Sequence, residues 1–274
     1  MARRAAIQAG MGRVTDMENT QQPSDTYVQS FARGLSVIRA FGPQRPQMTL
    51  SEVAAECGLT RAGARRILLT LEHLGYVAVE GRQFSLTPRI LELGYSYLSA
   101  TPLWDLALPY MEEVAEATRE SCSVSVLDGT DVVYILRLSR HKVMSINLAV
   151  GSRLPAWATS MGRVLLAGLP PEEQDRVLAA SDIQAYTPHT VTDVAKIKRL
   201  LAQVRADGYA CVVQELELGL QSMAVPIMDR TGRVKGAMNV SGHASRYTPE
   251  EMIAAFLPPL RYAADQINQS LQRR

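Results

Sequence analysis

Residues 49 to 82 carry side chains of the types and spacing that grip a nucleic acid. Projected at 100° per residue, a helix over 61–74 places Ala64, Ile67, Leu68, Leu71 and Leu74 on one apolar arc and Arg61, Ala62, Arg65 and Arg66 on the opposite one. A helix entering the major groove needs that division: an oily back against its own bundle and long donors near its N-terminal half. Ala62 and Gly63 are small enough to let the backbone come close. Arg61, Arg65 and Arg66 are expected to divide between base edges and phosphates, whereas Thr49, Ser51 and Arg82 position the duplex through its backbone. Thr60, the expected cap of this helix, completes the candidate DNA-contacting set. An arginine face alone is the ordinary solvated face of a helix. Its neighbours argue otherwise: a capping box at Thr49-Leu-Ser-Glu52, a tight Gly58-Leu-Thr60 turn, and a hairpin tipped by Arg82. From Leu59 to Arg89 there are five Arg against Glu72 and Glu80, a local charge of +3 in a chain whose net charge is +2.

A second constellation suits a small anion. Thr159-Ser-Met-Gly162 stands where a loop enters a helix, so unpaired N–H groups and the positive end of the helix dipole meet there. Thr159 and Ser160 add hydroxyls, Gly162 permits close approach, and Met161 and Trp157 offer apolar contact. Thr159 serves equally well as a plain helix cap, and Trp157 as plain core. Farther along, Glu215 could accept from a hydroxyl of a hydroxy acid and Ser222 could face its carboxylate or ring edge; Glu217 fits a solvated loop better. Arg137 and Arg163 are weaker candidates for a carboxylate partner.

Catalytic and metal chemistry find little support. His73, His141, His189 and His243 are dispersed and form no H-E-x-x-H pair. There is no G-x-S-x-G elbow, P-loop or G-x-G-x-x-G fingerprint. Glu112/Glu113 and Glu172/Glu173 are adjacent, which on a helix makes them solvated neighbours. No catalytic residue, metal site or cofactor is expected.

The 274 residues suggest two domains, and 47% apolar with 20% charged residues supports sizeable cores and excludes wholesale disorder. The cations comprise 25 Arg and 4 Lys, the first Lys being Lys142. The rigid guanidinium fork suits phosphate and guanine recognition, although a genome-wide codon bias produces the same count. Cys57, Cys122 and Cys211 are scattered, which fits a reducing cytoplasm without disulfides. The Met1-Ala-Arg-Arg start lacks a following apolar stretch, and no run is long enough for a membrane helix. A cytoplasmic protein without membrane contact is expected.

The elements that position these residues follow from periodicity. Residues 1–26 read as a polar tail. Over 27–87 come a helix at 28–41 with Phe31, Leu35, Ile38 and Phe41 on one stripe, a short helix with Leu50, Val53 and Ala54 inward, the 61–74 helix, and a hairpin over 76–86. A helix from Pro88 to Ser99 forms a linker (88–100), and Thr101-Pro102 breaks it before a helix to about Thr118. The domain over 101–274 holds strands near 123–127, 131–138, 144–149, 209–214, 221–228 and 233–241, helices near 160–167, 171–179 and 192–206, and a long terminal helix opened by Thr248-Pro-Glu-Glu251. This is an α+β chain: a winged helix-turn-helix followed by a mixed α/β sheet domain.

The stretch Thr49-Leu-Ser-Glu-Val-Ala-Ala-Glu-Cys-Gly-Leu-Thr-Arg-Ala-Gly-Ala-Arg-Arg-Ile-Leu-Leu-Thr-Leu-Glu-His-Leu-Gly-Tyr76 resembles the helix-turn-helix of IclR-type bacterial transcriptional regulators. The resemblance continues through Gly151-Ser-Arg-Leu-Pro-Ala-Trp-Ala-Thr-Ser-Met-Gly-Arg-Val-Leu-Leu-Ala167 and Gln214-Glu-Leu-Glu-Leu-Gly-Leu-Gln-Ser-Met-Ala-Val-Pro-Ile227, and with Ser99-Ala-Thr-Pro-Leu103 it is similar to the branch controlling protocatechuate, 4-hydroxybenzoate and β-ketoadipate catabolism. Those regulators commonly carry a Ser/Thr pair where Ala62-Gly63 stand, so their hydroxyl-to-phosphate contacts are not expected here. The resemblance implies a GAF-like C-terminal domain binding a small organic-acid effector, operator DNA as partner, and homodimers that pair through the DNA-binding half and associate into tetramers. The alternative is a constitutive DNA-binding regulator whose C-terminal domain only oligomerises.

Overall fold

A computed structural model describes residues 26–100, 103–140 and 148–272. The tail at 1–25, the Thr101-Pro102 break and most of the strand expected at 144–149 lie outside the described residues. The chain divides into two compact units that meet in sequence between Ala100 and Thr101.

The first unit contains α1 (Gln29–Ala40), β1 (Gln47–Thr49), α2 (Leu50–Glu56), α3 (Arg61–His73), β2 (Val77–Glu80), β3 (Gln83–Leu86), a 3-10 turn at Pro88–Ile90 and α4 (Leu91–Ser99). The capping box forms as expected: the Thr49 N–H donates to Glu52 Oε2 at 2.7 Å, and the Glu52 N–H donates back to Thr49 Oγ1 at 3.4 Å. The same bonds hold the Glu52 carboxyl below its ordinary pKa, the Thr49 N–H being the larger cause. β2 and β3 pair antiparallel around a two-residue turn, Gly81-Arg82. Gly81 sits at φ +62, where a side chain is strained and where the hairpin's twist requires a primed turn. The unexpected β1 adds to the outer side of β3, making a three-stranded wing sheet. The core joins Val37, Met48, Val53, Ala64 and Leu68.

Two expected faces are corrected. The α1 stripe does not turn inward as one: Phe31 is 68% and Leu35 40% exposed, and the buried anchors are Val37, within the helix, and Phe41, just past it. Tyr27, Val28, Phe31 and Leu35 instead form an outward apolar set. Leu74 caps the end of α3 and is 47% exposed, because the chain turns away at Gly75 before the helix can carry it under the bundle.

The second unit contains α5 (Leu103–Thr118), β4 (Ser121–Asp128), β5 (Asp131–Leu138), β6 (Arg153–Pro155), a 3-10 turn at Ala156–Ala158, α6 (Ser160–Ala167), α7 (Pro171–Ala180), α8 (Val194–Asp207), β7 (Ala210–Val213), β8 (Leu220–Met228), β9 (Val234–His243) and α9 (Pro249–Gln272). The sheet runs β6-β5-β4-β9-β8-β7, antiparallel throughout. β6 was not apparent from periodicity, being too short to alternate. α9 packs on α5 and β8, while α6 lies against β8, β9 and β4. Strands buried on both faces cannot be solvated on either, so polar side chains on the α6 side are interior groups. Ser121, Ser123 and Ser125 of β4 and Asn239 of β9 are all buried. No helix among the described residues is long and apolar enough to cross a membrane.

Candidate nucleic-acid face and effector pocket

In the first unit, α3 divides as its sequence predicts. Ala64, Leu68 and Leu71 are buried, Ile67 is half-buried, and Arg61, Ala62, Arg65 and Arg66 are exposed. Thr60 caps the helix, its Oγ1 accepting from the Gly63 N–H at 3.1 Å. Among the described residues, none of Arg61, Arg65, Arg66 or Arg82 forms an ion pair, whereas Arg45 pairs with Glu56 and Arg89 with Glu92. Charge left uncompensated on one helix face and at the wing tip is what phosphate binding uses. Ser51 is exposed on α2. The Thr49 hydroxyl donates to Glu52 Oε2 at 2.8 Å and also accepts from the Glu52 N–H, so in this structure it serves the capping box.

In the second unit, the start of α6 opens onto a cavity of about 20 Å³. Thr159, Ser160, Met161, Glu215 and Ser222 all line it, which brings together segments 54 to 63 residues apart in sequence. Thr159 Oγ1 accepts from the Gly162 N–H at 3.1 Å, as a cap does. The buried Ser160 Oγ has no hydrogen-bond partner among the described residues. Gly162 stands behind the wall. A Cβ there would lie 2.0 Å from the Ala156 carbonyl oxygen, so its close approach is to the preceding 3-10 turn and not to a ligand.

Glu215 has a different task from the one expected. Arg163, 3% exposed, clamps it with Nη1 at 2.8 Å and Nη2 at 2.7 Å, and the Val191 N–H adds a bond at 3.0 Å. Arg163 Nε donates to the Trp157 carbonyl at 3.1 Å. Both partners are thus committed chiefly to each other: three of the carboxylate's about four acceptor positions and three of the five guanidinium donors are filled within the protein, while Glu215 lines the cavity. The pair also ties the 3-10 turn, α6 and the 187–191 loop together, with Thr187 and Thr190 donating to the carbonyls of Gln214 and Glu215. Trp157 is core, stacked on Tyr186 at 5.8 Å. Glu217 does not line the cavity.

Tyr134, Asn239 and Ser241 also line the cavity and were not foreseen. Burial pushes the Tyr134 phenol up to about 12, so it stays protonated and can donate. Asn239 Nδ2 donates to Ser241 Oγ at 3.0 Å while its Oδ1 is buried without a partner. The alternation Asn239-Val240-Ser241 in β9 was visible as a strand signal. Its polar side reads as solvent-facing until both faces of the sheet are known to be covered.

Two family models match: the IclR helix-turn-helix domain over residues 30–81 and the bacterial transcriptional regulator IclR C-terminal domain over residues 95–269. The chain belongs to the IclR family. Within it, the curated relatives place the chain in the Pca/Pob-type branch of IclR regulators. The Pca regulon regulatory protein of Pseudomonas putida is 41% identical over 239 residues, 87% of this chain and 82% of that one. A protein from Rhodococcus sp. RHA1 solved as a transcriptional regulator has a TM-score of 0.81 at 50% identity, covering 89% of this chain and 98% of that one. An IclR homolog from Microbacterium hydrocarbonoxydans, solved in complex with 4-hydroxybenzoate, has a TM-score of 0.79 at 29% identity, covering 89% and 100%. The relatives are transcriptional regulators and not enzymes, as expected from the lack of a catalytic constellation.

Proposed function

We propose that the chain is a ligand-responsive IclR regulator that binds operator DNA in the cytoplasm through α3 and the wing, with Arg61, Arg65, Arg66 and Arg82 as the charged contacts and Ser51, Thr60 and Ala62 beside them. Its effector is a small organic acid of the aromatic or β-keto type, its carboxylate held at the start of α6. The observation that carries the pocket is that the N-terminal end of α6 opens onto the cavity with the buried Ser160 Oγ there left without a partner. An anion there gains the Ser160 hydroxyl as a donor and the positive end of the helix dipole. Met161 and Ser222 give the ligand body an apolar and a polar side. The 4-hydroxybenzoate bound to the Microbacterium homolog supports the class.

The active form is a homodimer, paired further into a dimer of dimers. Outward apolar residues on α1 (Phe31, Leu35) and along α4 (Leu91, Leu93, Tyr95, Tyr97) supply surface for such pairing. Effector binding then shifts the population between DNA-competent and DNA-incompetent arrangements, which requires different affinity for the two. The small cavity favours one second reading, a constitutive regulator whose C-terminal unit only oligomerises, since about 20 Å³ holds little more than one water. Thermal-shift measurements with protocatechuate, 4-hydroxybenzoate and β-ketoadipate decide between them. A native-state ligand raises the melting temperature and changes operator retention in gel shift. No shift with any of these acids overturns the effector reading.

A further inference from the structure

β5 is irregular where it passes β4: the pairing register shifts between Val124 and Ser125. Tyr134 consequently faces Ser125, and Arg137, three residues later, faces Ser123. In a regular strand residues three apart point to opposite faces, so the extra residue is what turns both inward. The inward face is fixed by Ser125, whose Oγ donates to Met161 Sδ of α6 at 3.2 Å. Ser123 in turn pairs with Asn239 of β9. Arg137, Ser123 and Asn239 thus form one cross-strand row on the pocket side of the sheet, with Asn239 and Tyr134 already in the cavity wall.

Arg137 is half-buried and short of partners. Of its five donors, one is used among the described residues: Nη1 donates to Ser123 Oγ at 3.1 Å, and Nε is buried with no acceptor there. The other two arginines of this unit that are not exposed both meet carboxylates, Arg153 at Asp128 and Asp131 and Arg163 at Glu215. Arg137 meets none among the described residues. Its ionisable neighbours are Tyr134 and Cys122, and burial holds both protonated, each with a pKa near 12. A partly desolvated guanidinium without a counter-ion is costly and is relieved by an anion.

We propose that Arg137 is the second anchor of the effector pocket: it takes a second acidic group of the ligand while the start of α6 takes the first, so the preferred effector is a diacid. This rests on the α6 reading above and goes past it, since a single carboxylate at α6 leaves Arg137 unanswered. Asn239, beside it in the row, presents its free Oδ1 to any hydroxyl or protonated group between the two ends.

The test is calorimetry on the full chain with the dicarboxylates from succinate to pimelate, each against the monocarboxylate of equal carbon count, butanoate to heptanoate. At the fitting length the diacid is expected to bind about tenfold tighter than its monoacid. Arg137→Met is expected to bring the diacid down to the monoacid and leave the monoacid within about twofold, while Arg137→Lys keeps part of the preference. Should Arg137→Met lose its melting transition, Arg137→Gln, which keeps donors without the charge, reads the same difference. A diacid preference that survives removal of the charge, or a wild type without one, overturns the second anchor while leaving the α6 site standing if monoacids bind. If neither series binds the wild type while 4-hydroxybenzoate does, the second anchor falls alone; if 4-hydroxybenzoate, protocatechuate and β-ketoadipate fail as well, the α6 reading falls with it.

Discussion

Two helices in this chain begin alike and end up in opposite surroundings. α3 opens with Thr60-Arg-Ala-Gly63 and α6 with Thr159-Ser-Met-Gly162. In each, the threonine Oγ1 accepts from the glycine N–H at 3.1 Å. At α3 the next positions are exposed and the arginines meet no anion of the protein. At α6 every residue of the helix is buried, and its arginine is clamped by Glu215. The cap is local chemistry and comes out the same in both places. What the helix end is for depends on whether the fold leaves it at the surface, where guanidinium groups can meet phosphate, or encloses it, where a buried hydroxyl and the positive end of the helix dipole can hold one small anion.

The contrast can be broken at several points, the largest effect first. Glu215→Ala leaves Arg163 charged, buried and alone, so urea unfolding of the variant is expected to show a loss of about 3–5 kcal/mol. Arg163→Met combined with Glu215→Leu should recover most of it. Loss in the single variant below about 1 kcal/mol would mean that the pair is not closed to solvent as described. Gly162→Ala forces a Cβ to within 2.0 Å of the Ala156 oxygen, and the cost is expected to reach or exceed about 3 kcal/mol. Its counterpart Gly63→Ala meets only the Thr60 hydroxyl oxygen, at 3.1 Å, and should be neutral or stabilising by up to about 1 kcal/mol.

Function should part in the same way. Arg65→Ala is expected to weaken operator binding by about 1–3 kcal/mol, or to lower the salt slope by about one if its contact is a phosphate, with effector affinity unchanged. Equal operator affinity of variant and wild type across a salt titration would remove α3 from the interface. Ser160→Ala has the smallest and most diagnostic effect. Removing a buried hydroxyl without a partner should raise the melting temperature slightly, while affinity for 4-hydroxybenzoate falls by about 1 kcal/mol. A variant that loses stability and keeps affinity would make Ser160 a structural residue.

Much of this was legible in the sequence because it is local. Both capping boxes, the turn into α3, the wing hairpin and the strands on either side of Asp128-Gly129 depend on residues a few positions apart. Periodicity also revealed that α1 has an apolar stripe, but not that Phe31 and Leu35 would point outward while Val37 anchored the bundle. A stripe says that a face exists, and only packing says what covers it. In the pocket, Thr159 to Met161 were found because a helix start is a sequence signal, and Ser222 through the Gln214–Ile227 motif that carries the family resemblance. Asn239 and Ser241 were passed over because their alternation is the same one a solvated sheet face would show. The ion pair between Arg163 and Glu215 spans 52 positions, and neither residue carries a local mark of the other. Glu215 was read as a hydroxyl acceptor without sight of the guanidinium that clamps it.

The size of the cavity bears on how the protein chooses. A space of about 20 Å³ cannot receive even a small benzoate as it stands, so every candidate molecule must pry its own room from Leu154, Leu216, Leu220 and their neighbours. Admission itself becomes a filter: an acid is sorted by what it gives back after the walls have parted, and not only by its fit once inside. Entry should then be slower than diffusion and level off at high concentration, as the rate of parting takes over from the rate of encounter.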